Sequence, residues 1–89
     1  METEIDEKVK VWAFFDPLTS SGQVDIFPIA MNWNRRFVKF EKVILKTLRK
    51  TGSITFVNLV CASETANFEL EYDSSNYSWK VKKVMDLSV

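Results

Sequence analysis

The chain has 89 residues, twelve basic and twelve acidic, and is 46% hydrophobic, which allows one domain with a thin core and excludes a disordered or linker-like segment. It holds no histidine and a single cysteine, Cys61, which rules out an internal disulfide, a cysteine-based zinc cluster and any scheme built on an imidazole base. Twelve aromatic residues, seven of them Phe and three Trp, offer large buried areas to offset the small core.

Residues 1–7, with Glu2, Glu4, Asp6 and Glu7, read as a frayed acidic leader to a single domain spanning 1–89. Such a leader is the reverse of a cationic signal segment, and no apolar run approaches membrane-spanning length. A cytoplasmic protein without membrane contact is expected.

From Lys8 to Phe15, Val9, Val11 and Ala13 alternate with Lys10, Trp12 and Phe14, a period of two that predicts a strand. Asp16 and Pro17, with Thr19, Ser20, Ser21 and Gly22, carry turn chemistry. An extended run from Val24 to Trp33 contains Pro28, which lacks an amide hydrogen and marks a sheet edge or a bulge. Asn32, Trp33, Asn34 and Arg35 are suited to a tight hairpin, since Asn enters positive φ at low cost.

Residues 35–50 admit two readings. Phe37, Phe40, Ile44 and Leu48 recur at helical spacing with the lysines largely opposite, which would give an α+β fold. Val38, Val43, Ile44, Thr47 and Thr51 are β-branched and favour a strand, the preferred reading. After the turn residues Thr51, Gly52 and Ser53, a strand runs from Ile54 to Ala62. Phe68, Leu70 and Tyr72 then alternate with Asn67, Glu69 and Glu71. A turn at Asp73 to Asn76 leads to a strand with Tyr77, Trp79 and Val81, so that Glu69 and Glu71 face Lys80 and Lys82 across a hairpin. Asn76, Tyr77 and Ser78 match a glycosylation acceptor, most simply read as a turn. The fold expected is all-β, a small antiparallel meander or barrel-like twisted sheet of five or six strands.

The junction from Phe27 through Pro28, Trp33, Asn34, Arg35 and Arg36 to Val38, Glu41, Lys42 and Val43 resembles small uncharacterised bacterial β-domains in which a Pro-containing strand meets a Trp-x-Gly-Arg turn. The resemblance extends to the closing hairpin, Glu69 to Tyr72 and Trp79, with Arg35 where those domains carry Gly. It implies a β-meander and no activity.

Charge is segregated. Residues 35–50 hold seven bases and one acid, Glu41, a net +6 that the remaining residues balance. Trp33, Arg35, Arg36, Lys39, Lys42, Lys46, Arg49 and Lys50 are the candidate binding residues, a basic row able to follow phosphates while Trp33, Phe37 or Phe40 stack bases. The competing account is a solvated face answered by acids elsewhere. Asp16, Asp25, Glu41, Glu69 and Glu71 match no metal or acid–base spacing, and Cys61 reads as a buried hydrophobe. No catalytic residue, metal or cofactor is expected. The function expected is a noncatalytic binding module that takes a protein partner, itself, or single-stranded nucleic acid, or else an accessory domain or subunit of an enzyme or nucleic-acid-processing complex.

Overall fold

A computed structural model describes residues 2–17 and 25–86. Six antiparallel strands follow in chain order, β1 (Glu2–Asp16), β2 (Asp25–Trp33), β3 (Arg36–Thr51), β4 (Ile54–Ser63), β5 (Ala66–Asp73) and β6 (Ser78–Asp86). Each pairs with the next, and β1 also pairs with β6, so the hydrogen-bonded strands close into a ring. The expected turn residues Thr19 to Gly22 lie outside the described residues.

Alternation fixes what the ring encloses. Phe68, Leu70 and Tyr72 on β5 are buried, and the register sets Leu70 beside Leu59 and Val81, both fully buried. Met31 and Cys61 join them from β2 and β4. Burying these apolar side chains contributes roughly 1.5–3 kcal/mol each, and no helix is needed to cover them because the ring covers its own inner face.

The acidic leader is not frayed. Glu2 to Glu4 pair with Met85 to Lys83 of β6, and Ile5 packs against the core. A bulge between Glu4 and Glu7 puts Asp6 at φ 61°, and from there its carboxylate accepts from Lys82 at 3.0 Å and lies 3.8 Å from Lys80. Lys83 meets Glu2 at 3.3 Å. The pairing expected inside the closing hairpin is therefore redirected. Glu71 does face Lys80, but a bulge that leaves Lys82 extra on β6 sets Glu69 opposite Lys83, and the lysines reach β1.

The contested segment is strand from Arg36 onward, with Arg35 in the turn before it, and the described residues contain no helix. β3 carries two bulges, at Glu41 and Ile44. Each adds one residue, so the inward series becomes Val38, Phe40, Val43, Lys46, Leu48 and Lys50. Of the helix-like stripe only Phe40 and Leu48 face inward, since Phe37 lies on the outer side against Trp12 and Ile44 is the extra residue of a bulge.

The β2–β3 hairpin turns one residue later than expected, with Trp33 opposite Arg36. Asn34 (φ 54°) and Arg35 (φ 63°) both occupy the left-handed region, the requirement of a type I′ hairpin turn. Pro28 sits opposite Ala13 at a bulge that leaves Ile29 extra on β2. It also lies where β2 has lost β3: the two strands pair only from Ala30 to Trp33, and the wall opens beyond. Both expectations for Pro28, edge and bulge, are met.

Candidate interaction surface

The parting of β2 and β3 divides the ring into two ends. At one, Trp33, Phe40 and Phe68 meet edge to face, with centroids 5.7 and 6.1 Å from Phe68. Buried Ser63 closes the adjoining turn by donating to the Ala66 carbonyl at 2.7 Å and accepting from its amide. At the other end the strands splay, and Lys46 of β3 reaches across to the Asp25 carboxylate of β2. That contact and the Ile26 amide hold the Asp25 carboxyl below its usual range, against the opposing effect of desolvation.

Cross-strand partners share a face, so the register gives the direction of each basic side chain. Lys46 and Lys50 lie opposite Leu59 and Thr55 on the inner side, whereas Lys42, opposite Ala62, and Arg49, opposite Phe56, turn outward. Lys39 pairs with Ala30 on the outer side, and Arg35 and Arg36 sit at the hairpin turn. The basic residues therefore form no single row, because the bulge at Glu41 puts Lys42 on the outer side with Lys39 and the bulge at Ile44 returns Lys46 to the inner one. Arg49 bonds Glu71 at 3.1 Å and lies 4.5 Å over the Phe56 ring. Among the described residues, Arg35, Arg36, Lys39, Lys42 and Lys50 make no ion pair. Trp33 points inward, and its indole nitrogen is buried without a hydrogen-bond partner.

Sequence reasoning missed an outer aromatic face. The bulge between Trp12 and Ala13 sets Phe14 directly opposite Phe27 and leaves Ile29 beside Ala30, all on the outer side. Phe37 of β3 meets Trp12 edge to face at 5.5 Å. These five side chains, Trp12, Phe14, Phe27, Ile29 and Phe37, are 42–67% exposed. Lys10, opposite Asn32, and Lys39, opposite Ala30, flank them. The signal was present in β1, where Trp12 and Phe14 share a parity with Lys8 and Lys10, and the inward series is already supplied by Val9 and Val11.

Glu69 accepts from the Asn58 amide at 3.1 Å and Glu71 is held by Arg49. Burial pushes the Cys61 thiol up to about 12, which keeps it protonated and unreactive at neutral pH. Among the described residues no three acidic or thiol side chains gather as a metal site, and no helix is long and apolar enough to cross a membrane. No family model, curated protein or solved structure matches the chain.

Proposed function

We propose that this protein is a noncatalytic binding module that docks a protein partner through the outer face of β1, β2 and β3. The observation that carries this reading is the cluster of Trp12, Phe14, Phe27, Ile29 and Phe37, exposed together on one sheet face. Contiguous apolar patches of this kind mark interaction sites, because covering them gains the burial energy the monomer leaves unused. An aromatic centre with a charged rim is also the usual anatomy of an interface. Lys10 and Lys39, at the rim without an acidic partner, favour an apolar partner surface edged by carboxylates. A second copy would bring like charges together.

Photo-cross-linking from position 14, with position 67 on β5 as the control, tests this reading. The expected adduct forms from position 14 only, is lost with Phe37→Ser, and maps to an acidic, apolar segment of the partner. Equal yield from both positions, or indifference to Phe37→Ser, overturns it. A second reading, single-stranded nucleic acid, is favoured by the Trp12–Phe37 pair beside Lys10 and Lys39, since exposed rings stack bases. Titration with single-stranded DNA and RNA across a salt series distinguishes the two. Binding with a slope near 0.7 per phosphate would replace the protein partner by nucleic acid.

A further inference from the structure

The splayed end of the ring contains a cavity of about 420 Å³. Phe15, Ile26, Leu48, Val57 and Tyr72 line it, and Lys46 and Lys50 project from the β3 wall on the same side as Leu48. Thr55 and Ser74 add hydroxyl groups at the rim. The opposite end is filled by Phe40, Phe68 and Trp33, which leaves the cavity an apolar floor. The outer aromatic face lies on the other side of the wall, and the cavity shares none of its residues.

We infer that this cavity is a binding site for a small amphipathic anion, a medium-length acyl or aryl chain bearing one carboxylate or sulfonate. The apolar lining takes the chain, as clefts of a few hundred Å³ with a few polar groups commonly do. The head group is assigned by charge. Among the described residues Lys50 makes no ion pair, so an anionic head placed at the mouth gains a charge-assisted hydrogen bond. Lys46 is held at the lip by Asp25, so of the two lysines that line the cavity Lys50 is the one without an ion pair among the described residues, and a single anionic group would answer it. A neutral ligand would leave Lys50 without a partner. A long chain would exceed the volume.

The test uses the full chain and a series of straight-chain carboxylates from hexanoate to dodecanoate, below their micellar concentrations, with alcohols of equal length, read by calorimetry and by displacement of 1-anilinonaphthalene-8-sulfonate. Affinity is expected to rise about fourfold per added CH₂ until the cavity is full, then level off. Each alcohol should bind about tenfold more weakly than its carboxylate, and Lys50→Met should remove that difference while leaving the alcohols unchanged. Leu48→Trp should abolish binding of both series with the sheet spectrum retained. Phe37→Ser should change nothing, which separates this site from the outer face. No binding across the series, indifference to Leu48→Trp and Lys50→Met, or loss with Phe37→Ser would each overturn the assignment.

Discussion

Phe68 and Tyr72, four residues apart on β5 and both facing inward, belong to opposite ends of the ring. Phe68 packs against Trp33 and Phe40 at the closed end, whereas Tyr72 packs against Trp79 at 4.9 Å and Phe15 at 5.7 Å below the open mouth. Leu70 lies between them with no exposed surface. One short strand thus spans the plug, the core and the cavity floor.

Leu70→Ala should cost roughly 2–5 kcal/mol, a large share of the stability of a domain this size, because the ring cannot collapse around the void. Glu69→Ala, which loses one half-exposed hydrogen bond to Asn58, should cost about 1 kcal/mol or less. Urea denaturation monitored by tryptophan fluorescence measures both. Equal losses would remove the alternation on which the core rests.

Arg35→Gly should stabilise the protein by about 0.5–1 kcal/mol. A side chain in the left-handed region costs about 1–2 kcal/mol, and the greater freedom of glycine in the unfolded chain returns part of that gain. The comparison is a thermal melt of Arg35→Gly against Arg35→Ala. Alanine retains the strain, so a rise with both variants would contradict the turn geometry.

Cys61 should resist iodoacetamide and aromatic disulfides at pH 8 until the protein unfolds, since it is fully buried and its thiol is pushed up to about 12. A thiol raised in the fold contributes stability that is complete below its unfolded value near 9 and is lost as pH rises through the folded one. The expected slope is about 1.4 kcal/mol per pH unit between 9 and 12, absent in Cys61→Ala.

The Asp6 carboxyl is held below its usual range, chiefly by the hydrogen bond from Lys82. A carboxyl lowered in the fold contributes stability that is present above its unfolded value near 3.8 and is lost as pH falls through the folded one. Asp6→Asn keeps a residue that accepts positive φ and removes only the charge. The stability of this variant should change less with pH below 4 than that of the parent chain, and the effect should fade at high salt, since the pairs are exposed. An unchanged acid limb would mean that β1 is held by its ladder alone.

Local chemistry was enough for the all-β class and for most strands. Period-two alternation survives wherever a strand runs without a bulge, as in β5, and β-branched content outweighed the helix-like spacing of residues 35–50. The single buried thiol could be read from Cys61 in the same way. What sequence could not carry is the effect of bulges. At Glu41 and Ile44 they split the lysines between two faces, and at Trp12 they aligned Phe14 with Phe27 on the outside. Nor could it place Glu2 and Asp6 beside Lys83 and Lys82, partners about 80 residues apart that meet only because β1 closes on β6. A bulge depends on which strand lies alongside and at what register, and ring closure is a non-local choice. For that reason the joining of Trp12 and Phe14 to Phe27 and Phe37 in one face, the open mouth and its two lysines were decided by the tertiary structure.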